Sequence, residues 1–283
     1  MTIQDAIERA KKLGMERADR RRASPDDLRS SAFVREPVLA GTEAPVHYAA
    51  LGRIEFDVAT CAKNNILMTD EQPGATGHAA TAYRLMRGRI LHKIKGSNWS
   101  CIGITSAGPG EGKTVTALNL AISIAREKLR VVYLLDLDMR KPSVWNRCGC
   151  RPAGQLSQYF AGELALEQVL YQTSVENLVI AGACDPVQGA SELLASTRLE
   201  ELIKYVRGRS PGALVVFDLP PVLSTDEALV VAPRTDALYL VVSEGVTRRD
   251  GLARSVDMLS DFTVAGVILN RSSEELGADY YGY

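Results

Sequence analysis

From Ser100 onward the chain alternates between short apolar runs and stretches of helical period, and this rhythm limits the possible folds more than any other feature. The runs are CIGIT (101–105), VVYLL (131–135), LVIAG (178–182), ALVVF (213–217), ALYLVV (237–242) and VAGVILN (264–270). Most are separated by roughly ten to twenty residues that read as helix. A strand that is apolar along its whole length has both faces buried, so such runs imply a mostly parallel sheet flanked by helices. Ligands on these sheets bind beyond the carboxyl ends of the strands. The residues that follow each run are therefore the first candidates for chemistry.

The first run leads into SAGPGEGKTVTALNLA, where residues 107–114 fit A-x-x-x-x-G-K-T, a Walker A loop with alanine at the usual first glycine. Gly108, Gly110 and Gly112 let the backbone curl so that N–H groups face phosphate oxygens. Pro109, Glu111 and Val115 complete the expected nucleotide-binding segment. In this pattern Lys113 reaches the β- and γ-phosphates and the Thr114 hydroxyl ligates Mg²⁺. A helix opening at Lys113 adds its positive end. The fold expected is an α/β P-loop NTPase, and the ligands expected are ATP and Mg²⁺.

Carboxylates narrow the chemistry. VVYLLDLDMRKP carries Asp136 and Asp138, whose alternating spacing places both on one face of an extended segment. ALVVFDLPP ends in Asp218, where a Walker B metal carboxylate belongs. Three acids at neighbouring strand ends are costly to cluster without a cation, and Mg²⁺ bound with ATP supplies one. A second reading has Asp136 and Asp138 simply capping the helix that follows.

The chain ends in ADYYGY, so three of its ten tyrosines, Tyr280, Tyr281 and Tyr283, lie in the last four positions. At the other end, IQDAIERAKKLGMERADRRR sets Ile3, Ile7, Ala10 and Leu13 at helical spacing before a basic end. It reads as a solvated amphipathic helix, or as a docking helix for a partner or an anionic surface. Residues 23–45 are polar with three prolines and read as a linker. GRIEFDVATCAKNNIL reads as a short strand or strap, EQPGATG as a break, and HAATAYRLMRGRILHKIKG as a helix. The expected units are an irregular or helical N-terminal extension (1–75), a P-loop domain (76–273) and a tyrosine-rich tail (274–283).

With 33 basic and 34 acidic residues, no net field recruits nucleic acid. Five cysteines without a C-x-x-C pair suit a reducing compartment, and Cys148 with Cys150 offers too few ligands for zinc. No run approaches about eighteen apolar residues. The expectation is a cytoplasmic protein, held at the inner face of a membrane only through a partner.

Taken in order, PGEGKT (109–114), DLDMRKP (136–142), SELL (191–194), FDLPP (217–221) and the terminal tyrosines resemble the bacterial tyrosine kinases of capsule and exopolysaccharide synthesis, of the stand-alone cytoplasmic type. The resemblance implies autophosphorylation, with Tyr280, Tyr281 and Tyr283 as acceptors on a neighbouring copy. It implies Asp218 and Asp138 as metal carboxylates and Asp136 as the acceptor of the tyrosine proton. Arg140 would place phosphates and Asn270 would recognise adenine. It further implies a membrane polysaccharide co-polymerase of the Wzz kind as activator, a cognate tyrosine phosphatase, and a homo-oligomer.

Family members carry E-x-x-R-x-x-R on the helix before the P-loop domain, a motif linked to ring-like assembly. Here Arg84 and Arg87 are present, but Thr81 stands at the glutamate, so an interface ion pair is missing. Two other readings compete. A MinD/ParA-like positioning ATPase would carry a signature lysine where this chain has Gly108. A nucleotide-dependent, non-catalytic adaptor would not need the intact set of Lys113, Thr114, Asp136, Asp138 and Asp218.

Overall fold

The structure is a computed structural model that describes residues 51–68 and 75–273. The amphipathic segment, the linker and the tail tyrosines Tyr280, Tyr281 and Tyr283 lie outside the described residues. Eight strands form a single sheet: β1 (Gly52–Ile54), β2 (Cys101–Ser106), β3 (Val132–Asp136), β4 (Tyr171–Thr173), β5 (Leu178–Ala181), β6 (Leu214–Asp218), β7 (Ala237–Ser243) and β8 (Val264–Asn270). Their order across the sheet is β1-β4-β5-β3-β6-β2-β7-β8, and only β4 and β5 pair antiparallel. All six apolar runs read from the sequence are strands. The two short strands, β1 and β4, carry no apolar run of their own.

Alternation along the buried strands sorts the core onto two faces. Val132, Leu134, Ile102, Ile104, Leu214 and Val216 face one side. There they meet α1 (Val58–Lys63), α2 (Ala75–Ser97), α3 (Lys113–Ala125) and α4 (Val144–Arg147). Tyr133, Leu135, Val215, Phe217, Leu238 and Leu240 face the other. That side is covered by α5 (Leu156–Ala161), α6 (Leu166–Val169), α7 (Ala190–Ala195), α8 (Arg198–Arg209), α9 (Glu227–Val231) and α10 (Arg249–Met258). Each fully buried Leu, Ile or Val contributes about 1.5–3 kcal/mol to holding these layers together.

Helix α3 is buried nearly all round, because the sheet covers one side and α2 with residues 64–68 covers the other. Its one buried amide, Asn119, is satisfied by that strap: Oδ1 accepts from Leu67 N (2.8 Å) and Nδ2 donates to Asn65 O (2.9 Å). Residues 52–68, which the sequence reading groups with the N-terminal extension, thus contribute an edge strand, a helix and the buried side chains Phe56, Cys61 and Ile66 to the body of the fold. Helix α2 starts at Ala75, three residues earlier than its pattern suggests, directly after Pro73-Gly74.

Arg84 and Arg87 on α2 behave differently. Arg84 is exposed and donates to the Thr81 hydroxyl (2.9 Å). Arg87 is turned inward onto the end of α3, pairing with Glu127 (2.7 Å) and donating to Ser123 O (2.9 Å). Within one chain, then, only Arg84 of the pair expected at an oligomer interface is exposed.

Candidate active site: a phosphate loop facing three carboxylates

Strand order brings the site together. β2, which feeds the loop, lies beside β6, and β6 lies beside β3. In the register of β3 with β6, Asp136 is paired with Asp218, and in that of β2 with β6, Ile104 is paired with Asp218. Residues far apart in sequence therefore end at one level of the sheet, beyond the carboxyl ends of three adjacent strands.

Lys113 is the centre of this cluster. Its Nζ lies 2.7 Å from Asp138 Oδ2 and 3.7 Å from Asp218 Oδ1, and it reaches the Thr114 hydroxyl at 3.4 Å. Burial alone would lower the ammonium, but the Asp218 and Asp138 carboxylates outweigh it and hold the group above its ordinary value. Asp218 is fully buried, and neither of its oxygens meets a donor at hydrogen-bonding geometry. Burial pushes its carboxyl up, against Lys113 and the nearby Thr114 hydroxyl.

Asp136 and Asp138 have separate tasks. Strand β3 ends at Asp136, and the turn that follows lies past Asp138, closed by Lys141 N on Asp138 O; the charges of both carboxylates act on Lys113. Asp136 is fully buried; Oδ2 accepts from Ser143 N and Val144 N (3.0 Å each), at the start of α4, and Oδ1 accepts from Asp138 N (3.1 Å). It thus accepts amide hydrogens at the start of α4, the contact that the capping reading of the sequence expects. Burial, reinforced by Asp218, pushes its carboxyl up to about 7. Asp138 instead faces Lys113, and its Oδ1 accepts from Lys141 N (3.1 Å).

A raised carboxyl has a definite sign in stability. Between 3.8, the ordinary value, and about 7, Asp136 is ionised in the unfolded chain and protonated in the folded one. Its contribution therefore falls as pH rises through that window. The nucleotide-free protein is expected to melt at lower temperature near pH 8 than near about pH 5. Asp136→Asn should flatten the slope, as read by thermal denaturation across pH; an unchanged slope would assign the dependence elsewhere.

The loop itself is braced from outside. Glu111, expected from sequence to line the nucleotide, turns inward: Oε2 accepts from Ala107 N (2.9 Å) and Oε1 from the Thr247 hydroxyl (2.8 Å). Asn270 Nδ2 donates to Glu111 O (2.9 Å), and Arg271 Nη2 donates to Gly110 O (3.0 Å). Gly112 opens α3 at φ 95°, a left-handed conformation that favours glycine. The backbone N–H groups of Gly110 and Gly112 make no hydrogen bond among the described residues. Gly108 and Pro109 lie on the rim of the loop, and Val115 is the third residue of α3, packed on the core.

Arg140 does not enter the Lys113 cluster; its Nε pairs with Glu227. Sequence reasoning missed Ser143, which donates to the Thr114 hydroxyl (3.2 Å), and also Thr247, Arg271 and Glu227. No sequence pattern marks these residues, because their partners lie 29 to 161 positions away.

The donor set fits a divalent cation held jointly with phosphate. Thr114 offers a hydroxyl, Asp138 a carboxylate oxygen, and Asp218 two buried oxygens without donors. Among the described residues no three carboxylate, histidine or cysteine side chains make a metal cage by themselves. No helix of the described residues is long and apolar enough to cross a membrane.

No family model matches the chain. It is 29% identical over 204 residues to tyrosine-protein kinase YwqD of Bacillus subtilis, covering 71% of this chain and 85% of that protein. It is 32% identical over 191 residues to the succinoglycan biosynthesis transport protein ExoP of Rhizobium meliloti, covering 65% of this chain and only 24% of that protein. Among solved structures, the VpsO kinase domain superposes with a TM-score of 0.61 at 28% identity, over 68% of this chain and 96% of the domain. Sequence and fold agree in their likeness to bacterial tyrosine-protein kinases.

Proposed function

We propose that the chain is an ATP-dependent protein-tyrosine autokinase that phosphorylates Tyr280, Tyr281 and Tyr283 of a neighbouring copy and so regulates capsule or exopolysaccharide polymerisation and export. The observation that carries this reading is the meeting of Lys113, Thr114, Asp138 and Asp218 at the ends of β2, β3 and β6. Likeness to a named tyrosine-protein kinase supports the reaction, and likeness to a succinoglycan biosynthesis transport protein supports the setting.

In this mechanism the amides of Gly110 and Gly112 and the ammonium of Lys113 hold the phosphates of ATP. Mg²⁺, held by Thr114, Asp138 and Asp218, supplies charge neutralisation on the β- and γ-phosphates. As Lys113 turns to phosphate it frees Asp138 Oδ2 for the cation, and the neighbouring carboxylate at the end of β3, Asp136, takes the proton from the tyrosine hydroxyl. That hydroxyl, with a pKa of about 10, is scarcely ionised at neutral pH and needs such an acceptor. The phenolic oxygen bonds to the γ-phosphorus, the bond to the β,γ-bridging oxygen breaks, and ADP leaves. Asn270 contacts adenine while still bracing the loop. The catalytic domain is the P-loop unit up to residue 273, with 274–283 as substrate tail and Arg84 at the interface between copies. A Wzz-like membrane co-polymerase activates the enzyme and holds it at the inner membrane face, and a tyrosine phosphatase reverses the modification.

Incubation with γ-labelled ATP tests the reading. Label should appear on the tail tyrosines and vanish in a Tyr280→Phe, Tyr281→Phe, Tyr283→Phe triple variant. Phosphate release without protein labelling would instead identify a positioning ATPase, and binding with neither outcome an adaptor.

A further inference from the structure

Glu227 is exposed to only 1% of its surface, yet it carries a carboxylate that a single cation meets. Its Oε1 accepts from Nε of Arg140, and its Oε2 has no hydrogen-bond partner. The pair spans 87 positions: Glu227 opens α9, while Arg140 sits in the tight turn closed by Lys141 N on Asp138 O (3.2 Å). Asp226 and Glu192 lie close enough to act on the same guanidinium, and Ser191 of α7 donates to Asp226 (2.7 Å). The SELL segment is thereby tied to α9 beside this pair.

A carboxylate here is poorly explained by stability. One ion pair does not offset the desolvation of a buried acid, and an apolar residue of similar volume is usually as stable or more so. What the acid does accomplish is to fix a guanidinium. Nε is held, while the two Nη groups make no hydrogen bond among the described residues, on a side chain 55% exposed. A planar fork held by one edge keeps its remaining donors ready for two phosphate oxygens at once.

We propose that Glu227 is a positioning residue for phosphoryl transfer, acting through Arg140 by holding Nε so that both Nη groups stay available to the transferred phosphate in the Asp138 turn. This rests on the kinase reading above. Ground-state binding of ATP belongs to the loop and Lys113, so losing Glu227 should slow turnover and leave nucleotide affinity alone.

The test compares full-length wild type, Glu227→Gln, Glu227→Met, Arg140→Ala and the Arg140→Ala, Glu227→Gln double variant in steady-state tyrosine labelling. Both Glu227 variants should melt no lower than wild type, keep KM for ATP and lose about tenfold in kcat. Arg140→Ala should lose at least as much, and adding Glu227→Gln to it should cost nothing further. Undiminished kcat, or an equal loss from Glu227→Gln with and without Arg140, overturns the inference. Wild type that labels no tyrosine overturns the kinase reading instead. The same set is then compared on phosphate release, where absence of the Arg140-dependent loss again overturns the role of Glu227.

Discussion

Lys113→Met is expected to abolish tyrosine labelling, by about a thousandfold or more, and also to weaken the nucleotide-free protein. The second effect follows from where the ammonium sits. It is the cation between Asp138 at 2.7 Å and Asp218 at 3.7 Å, and Asp218 has no hydrogen-bond donor to replace it. Removing one partner of a buried ion pair costs about 3–5 kcal/mol because the charge left behind remains unpaired. The cost should shrink as pH falls, since carboxylates already pushed up by burial can then take protons. Urea denaturation near pH 8 and near about pH 5 reads both the loss and its relief. A variant as stable as wild type at the higher pH would show that Lys113 does not hold the carboxylates together.

Gly112→Ala is the second large effect. A methyl group built on Gly112 would lie 2.0 Å from Asn270 Nδ2, so the Asn270 side chain must leave Glu111 O. The backbone at φ 95° adds strain of about 1–3 kcal/mol for any residue with a Cβ. Both changes fall on the loop that aims amides at phosphate. Affinity for ATP, measured by titration calorimetry, should drop by at least about tenfold. Combining Gly112→Ala with Asn270→Ala removes the clash but not the strain. Partial recovery identifies the clash as a cause, and no recovery assigns the whole effect to the backbone.

The sequence made the sheet legible because each long strand is a continuous apolar run. The loop and Asp218 were legible because they follow such runs directly. β1 was read only as part of a short strand or strap and β4 not at all, since each has three residues and gains its place from neighbours. The period-two argument placed Asp136 and Asp138 together, and both do act on Lys113, but spacing could not tell which one pairs with it and which accepts from the start of α4. Glu111 looked like a phosphate-loop residue, but its partner Thr247 lies 136 positions away and no local pattern marks it. Arg87, expected at an interface, is met within the chain by Glu127 just past α3, a partner that its own motif does not show. In each case local spacing identified the residue, and a contact distant in sequence decided its task.

The bracing of the phosphate loop by Asn270 and Arg271 has a consequence for how copies of the chain can meet. The end of β8 is pinned to the loop, and Ser273 is pinned in turn, through N and Oγ, to Glu244. On the proposed reading, the acceptor segment therefore begins at a residue fixed close to the brace of this copy's own phosphate loop. From Ser273 to Tyr280 it can span at most about 25 Å. If Tyr280 is the acceptor, as proposed, the neighbour's carboxylate cluster has to come within about that reach, plus one tyrosine side chain, of Ser273, so two pockets have to stand close together for the reaction to occur.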